Sequence, residues 1–117
     1  MIVDDDPDIV LTFKTGLESN GFEVDFYNDP SLALKFFKAN FYDLLLIDIR
    51  MPNMTGFEFY QKINKIDNKA KICFITAFEV YYRALLEEFA NLYQKCFIQK
   101  PISIDKLMKR IKTELYL

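Results

Sequence analysis

Five side chains have the types that phosphoryl chemistry needs: Asp4, Asp5, Asp48, Thr76 and Lys100. Asp48 ends the apolar run Leu44-Leu45-Leu46-Ile47, and the turn-rich stretch Met51-Pro52-Asn53-Met54-Thr55-Gly56 soon follows. A charged residue seldom ends a buried strand without a partner or a task. Asp4 and Asp5 follow Ile2-Val3 in the same way. Thr76 closes Lys71-Ile72-Cys73-Phe74-Ile75, and Lys100 closes Lys95-Cys96-Phe97-Ile98-Gln99. Clustered carboxylates repel one another and call for a cation, and an all-oxygen donor set suits Mg²⁺. Asp48 can be the nucleophile that accepts a phosphoryl group. Lys100 offers a compact positive charge for phosphoryl oxygens, and Thr76 a hydroxyl donor. Each piece alone has a plainer reading: Asp4-Asp5-Asp6 as a solvated helix cap, Asp48 as a turn residue, Thr76 as a strand end, Lys100-Pro101 as a loop exit. The set, in order at successive strand ends, is more specific than any member.

The elements that would position these groups alternate along the chain. Ile2-Val3 reads as a short first strand. Asp6-Pro7 starts a helix whose apolar positions are Ile9, Val10, Phe13, Gly16 and Leu17, and Asn20-Gly21 ends it. Phe22, Val24 and Phe26 alternate, which predicts a strand over Phe22 to Tyr27. Asp29-Pro30 starts a second helix carrying Leu32, Leu34, Phe36 and Phe37 and ending near Asn40. After the Leu44 to Ile47 strand, Gly56 is expected at a positive-φ turn. A third helix is expected over Phe57 to about Ile66, with Phe59, Tyr60 and Ile63 as its apolar side. A fourth is expected over Glu79 to about Asn91. Ser103 caps a last helix carrying Ile104, Leu107, Met108, Ile111 and Leu115 on one face. Five alternations predict an α/β fold with a parallel sheet covered on both faces. In such a sheet, ligands bind beyond the carboxyl ends of the strands.

Composition narrows the functions available. One domain over residues 1–117 is expected, with no linker, repeat or low-complexity tract. Net charge is −2, and no basic stripe suggests direct contact with nucleic acid. No apolar run reaches the length of a membrane span. The early acidic residues argue against a signal peptide, so a cytoplasmic setting is expected. His is absent, which removes His-ligated metals and Ser-His or Cys-His catalysis. Cys73 and Cys96 are too few and too far apart for a disulfide framework or a CxxC metal site, and read as buried free thiols.

Val3-Asp4-Asp5-Asp6-Pro7, Asp48-Ile49-Arg50-Met51-Pro52 through Gly56, Ile75-Thr76-Ala77 and Lys100-Pro101 together resemble the receiver domain of two-component response regulators. The resemblance spans essentially the whole chain. It implies a flavodoxin-like (βα)₅ fold, a doubly wound five-stranded parallel sheet with strand order 2-1-3-4-5. It implies Asp48 as the phosphoacceptor and a Mg²⁺ ion held by Asp5, Asp48 and the Arg50 backbone carbonyl, with Asp4 acting largely through water. Thr76 and Lys100 would bind the phosphoryl group, and Phe97 would be a switch aromatic whose rotamer follows Thr76. Arg50 and Phe78 fall where dephosphorylation is tuned; both are bulky, which suggests a long-lived phosphorylated form. Implied partners are a sensor histidine kinase or phosphotransfer protein, and an output partner or second copy docking on the fourth helix, fifth strand and last helix.

Three features depart from the usual pattern. Only three residues precede the acidic pair, so the first strand is expected to be short. Ala90-Asn91-Leu92-Tyr93-Gln94-Lys95 replaces the usual Gly-Ala turn, so partner geometry does not carry over. The aromatic and apolar residues Tyr81, Tyr82, Leu85, Leu86, Phe89 and Tyr93 cover a broad arc of the fourth helix, either as thick core packing or as an exposed interface. Two other functions compete. A haloacid-dehalogenase-type phosphohydrolase would need a second Asp two residues after its nucleophile, where this chain has Arg50. A flavin-binding module would need a phosphate-cradling loop after the first strand, where three Asp residues would repel phosphate.

Overall fold

The computed structural model describes residues 1–77 and 96–116. Its apolar runs become parallel strands: β1 (Ile2–Val3), β2 (Phe26–Tyr27), β3 (Leu44–Asp48), β4 (Lys71–Thr76) and β5 (Cys96–Gln99). They form one sheet in the order β2-β1-β3-β4-β5, the flavodoxin-like order expected. The described helices are α1 (Pro7–Ser19), α2 (Pro30–Phe36), α3 (Gly56–Ile66) and α4 (Ile104–Leu115). The helix expected over Glu79 to Asn91, its aromatic arc, the 90–95 turn and Phe78 lie outside the described residues.

The four-residue run before Asp48 is apolar without a break because the sheet is buried on both sides. Leu45 and Ile47 join Val3, Phe59, Ile63 and Phe74 in a core beneath α2 and α3. Leu46 faces the other way, with Ile2, Phe13, Cys73, Ile98 and Leu107 beneath α1 and α4. Register then sets which chain ends meet. Val3 pairs with Ile47, so the next residues along, Asp4 and Asp48, fall side by side. On the other flank Asp48 pairs with Ile75 and Thr76 with Gln99. The Lys100 N–H donates to the Thr76 carbonyl at 2.7 Å, which carries the β5 exit to the same edge.

Helix starts follow local chemistry. Asp6 caps α1, its carboxylate accepting from the Asp8 and Ile9 amides at 2.9 and 3.4 Å. Asn20 and Gly21 end that helix as expected, Gly21 at φ 89°. Thr55 and Glu58 form a reciprocal capping box at the start of α3. At the opposite end of the sheet, the Asp67 carboxylate accepts from the Asn40 and Lys69 amides, both at 2.9 Å, which ties together the loops entering β3 and β4. Those hydrogen bonds hold its pKa below the usual carboxylate value.

The structure corrects several boundaries. β2 is Phe26–Tyr27, not Phe22 to Tyr27, because β1 offers only Ile2 and Val3 as ladder partners. Phe22 and Val24 pack on the α1/α4 core ahead of the strand, and Phe26 is exposed. α2 ends at Phe36, not near Asn40. Phe37 turns extended there and stacks on Tyr42, ring centroids 5.5 Å apart, against the α2/α3 core. Its buried side is therefore Pro30 and Ala33 with Leu34, while Leu32 and Phe36 face solvent. The described part of the last sheet strand begins at Cys96.

Gly56 is needed for a different reason from the one the turn pattern suggested. The left-handed residue of this loop is Asn53, at φ 68°. Gly56 opens α3, and its amide donates to the Ile49 carbonyl at 2.8 Å. A Cβ built there would sit 2.4 Å from the Asp48 carbonyl oxygen. Glycine thus lets the acceptor loop fold back on the end of β3. Gly56→Ala is expected to lower stability in urea unfolding by about 1–3 kcal/mol, the usual cost of overpacking. A loss within a few tenths of wild type would show that the loop moves aside freely.

Candidate functional site

Strand ends converge on a cavity of about 520 Å³ lined by Asp4, Asp5, Asp6, Asp48, Arg50, Met51, Pro52, Ala77 and Lys100. It lies at the carboxyl edge of the sheet, where β1 meets β3 and the connections run to opposite faces. The acidic run after β1 divides its work. Asp4 is 1% exposed, Asp5 is exposed on the rim, and Asp6 is committed to capping α1. The helix-cap reading of the trio thus holds for Asp6 alone. The Asp6 amide in turn donates to Asp4 Oδ1 at 3.0 Å, fixing that carboxylate.

Asp48 is 5% exposed at the end of β3. Carboxylate oxygens of Asp4, Asp5 and Asp48 lie within 4.8 Å of one another. Lys100 Nζ pairs with Asp4 Oδ2 at 2.7 Å and stands 3.6 Å from Asp48 Oδ1. Among these four groups one lysine faces three carboxylates. Burial, reinforced by the charge of Asp4 and by a hydrogen bond and charge from Asp5, pushes Asp48 up to about 7; Lys100 pulls the other way. A carboxyl held near neutrality is a group that a bound cation would ionise fully. The donor set is hard oxygen, and the cavity is open to solvent. These residues fit a Mg²⁺ ion.

Four of the five groups named from sequence reach the cavity. Thr76 is 1% exposed, at the end of β4 but not in the lining, to which Ala77, the residue after the strand, contributes. Phe97 does not face the cavity either. It is 9% exposed in the α2/α3 core, its ring 5.4 Å from Phe74 and 6.4 Å from Phe57. Arg50 is exposed and lines the mouth. Sequence reasoning did not single out Ala77, Met51 or Pro52 as lining. Their signal was present, since all three sit inside the quoted motifs. It did not foresee that Lys100 holds Asp4 more closely than Asp48, because no local pattern encodes a pairing 96 residues apart.

A family model described as "Response regulator receiver domain" matches residues 1–112. Among curated proteins, the chain is similar to "Transcriptional regulatory protein RprY" of Bacteroides fragilis, 29% identical over 98% of this chain and 48% of that one. It is similar also to "Response regulator ArlR" of Staphylococcus saprophyticus, 31% identical over 98% of this chain and 51% of that one. The chain thus spans about half the length of these relatives. Among solved structures, response regulator protein TrrA from Thermotoga maritima, in complex with Mg(2+)-BeF, matches with TM-score 0.80 and 36% identity, covering 97% of this chain and 96% of that one. A CheY-like receiver domain protein from Methanospirillum hungatei matches with TM-score 0.82 and 28% identity, covering 98% and 90%.

The acidity of Asp48 sets a pH dependence for the metal-free protein. Between its ordinary 3.8 and about 7 the folded state keeps a proton that the unfolded state has lost. Stability from this group is therefore full below the ordinary value and falls as pH rises through about 7. Asp48→Asn removes the loss. Its stability advantage over wild type in urea, without divalent cation, is expected to widen from pH 4 to pH 8, by at most about 4 kcal/mol. A gap that stays flat across that range would contradict the assigned environment.

Proposed function

The chain belongs to the response regulator receiver family, and on that premise we propose that Asp48 is its phosphoacceptor, with residues 1–117 acting as one receiver domain. Receiver domains are two-component signalling modules that catalyse their own phosphorylation and dephosphorylation rather than ordinary enzymes. The observation that carries the residue assignment is the buried Asp48 carboxyl facing Asp4, Asp5 and Lys100 across one cavity. The phosphohydrolase and flavin alternatives lose their support with the family assignment.

In this reading Asp5, Asp48 and the Arg50 backbone carbonyl hold Mg²⁺, and Asp4 acts largely through water. When bound, the ion supplies positive charge to the oxygens of the phosphoryl group in flight. Asp48 attacks the phosphorus of a phosphohistidine on a sensor kinase or phosphotransfer protein. The P–N bond breaks, the imidazole leaves with the electron pair, and an acyl phosphate forms on Asp48. Lys100, held on Asp4 beforehand, turns to a phosphoryl oxygen, and the Thr76 hydroxyl donates to another. Movement of Thr76 toward the phosphoryl group opens space that Phe97 can follow, which changes the outer edge of β5. The related TrrA was solved with Mg(2+)-BeF, which favours the same kind of site here.

The wider setting is part of the same proposal. A sensor kinase is the donor, and an output partner or second copy docks through β5, α4 and the fourth helix expected from the sequence. Among the described residues no helix is long and apolar enough to cross a membrane, and a cytoplasmic setting fits that. Arg50 at the cavity mouth is placed to obstruct an attacking water, as is Phe78 in sequence, so a slow loss of the phosphoryl group is expected.

Acetyl phosphate with Mg²⁺ should add one phosphoryl mass to the wild type and none to Asp48→Asn, read by intact-protein mass spectrometry. Equal labelling of both would refute Asp48. Lys100→Ala should slow that labelling by about 100-fold, as loss of one transition-state charge contact does. For lifetime, Arg50→Ala should shorten the half-life of the phosphorylated form. An unchanged or longer half-life would remove Arg50 from that role.

A further inference from the structure

The two cysteines, distant in sequence, are register partners on β4 and β5. Both enter the core beneath α1 and α4, Cys73 0% and Cys96 4% exposed. Their sulfurs and a Glu114 carboxylate oxygen lie within 4.8 Å of one another. Arg110 of α4, exposed at the surface, turns Nη2 onto Cys96 Sγ at 3.2 Å and onto the Phe97 carbonyl at 3.3 Å. A guanidinium placed on a buried sulfur stabilises a thiolate there, and its own charge opposes a metal ion.

The two sulfurs are also unequal. The Cys73 thiol donates to Cys96, which, with Arg110, holds the pKa of Cys96 below its ordinary value despite burial. Cys73 is pushed up, by that same donated bond first and by burial second. One sulfur is thus prepared to react as an anion and the other to remain a thiol. Neighbouring strands run about 4.8 Å apart, inside the range of about 4.4–6.8 Å that a disulfide requires between Cα atoms.

We propose that Cys96 and Cys73 form a reversible dithiol–disulfide pair, Cys96 reacting first with hydrogen peroxide and Cys73 resolving it. The Cys96 thiolate attacks one peroxide oxygen, the O–O bond breaks, and Cys96 becomes a sulfenic acid. The hydroxide released takes a proton from solvent and leaves as water. Cys73 then gives up its proton and attacks the Cys96 sulfur. The S–S bond forms, the S–O bond breaks, and the departing hydroxide leaves as a second water with the Cys73 proton. The pair loses two electrons and the peroxide gains them. The bridge ties β4 to β5 just upstream of Thr76 and Lys100, so thiol state reaches the strands that carry the site without involving Asp48.

The whole chain, treated with hydrogen peroxide and then denatured and alkylated, tests this. Neither cysteine is expected to take the alkylating agent, intact mass should fall by about 2 Da, and a dithiol reductant should restore both thiols. Two thiols still free after excess peroxide, or a bridge only between molecules, would overturn the pair. Order is read with dimedone, which traps sulfenic acids. Cys73→Ala should trap on Cys96 at least about tenfold more than Cys96→Ala traps on Cys73, because the Arg110 guanidinium still contacts Cys96 Sγ there. Equal trapping would overturn the assignment of roles, and the wild-type mass result stands whether or not the variants fold.

Discussion

Three carboxylates held within 4.8 Å of one another at the carboxyl edge of an apolar sheet, two of them buried, are the constraint to which the rest of the molecule answers. Like charges at such distances repel by several kcal/mol at the dielectric of a protein surface. The fold relieves this in three ways. Lys100 reaches across from β5 to pair with Asp4 at 2.7 Å. Asp48 retains its proton up to about pH 7. Asp6, the third carboxylate of the acidic run, is diverted to cap α1. What remains is a cluster of carboxylate oxygens that suits a cation.

Backbone contacts keep that constraint in place. Gly56 packs directly on the Asp48 carbonyl, so the loop after β3 cannot drift from the acceptor. The Ile49 amide donates to the Ile75 carbonyl at 3.0 Å and the Lys100 amide to the Thr76 carbonyl at 2.7 Å, which lock the exits of β3, β4 and β5 to one another. Beneath them, Phe57, Phe74 and Phe97 form a contiguous ring cluster on one side of the sheet. The cysteine pair and Arg110 lie on the other. The two sides of one sheet thus carry different chemistries under a shared edge. One side holds a packed aromatic cluster, and the other a pair of sulfurs beside a guanidinium.

Much of this was legible in the chain. Unbroken apolar runs marked strands buried on both faces, and Asp-Pro pairs marked helix starts at Pro7 and Pro30. The candidate site residues stood at the ends of those runs. Where reading failed, a distant partner had decided the outcome. Phe22 to Tyr27 has the alternation of a strand, but β1 supplies a ladder for two residues only. Leu32 and Phe36 have the type of core residues, but the helix turns Ala33 inward and the chain extends at Phe37 to stack on Tyr42. Gly56 looked like a left-handed turn, while the contact that demands glycine is with the backbone of Asp48.

By itself, then, the sequence determined the element types, the strand-end placement of Asp4, Asp48, Thr76 and Lys100, and the family whose motifs they form. These depend on local periodicity and capping, which act within a few residues. Only the tertiary structure decided that Lys100 rests on Asp4, that Asp48 holds its proton near neutrality, that Thr76 and Phe97 are buried and outside the cavity lining, and that Cys73 meets Cys96 under Arg110. Each is a matter of register and burial between segments far apart in the chain. Electrostatic energy depends on distance and solvent exclusion, and neither exists until the strands have paired.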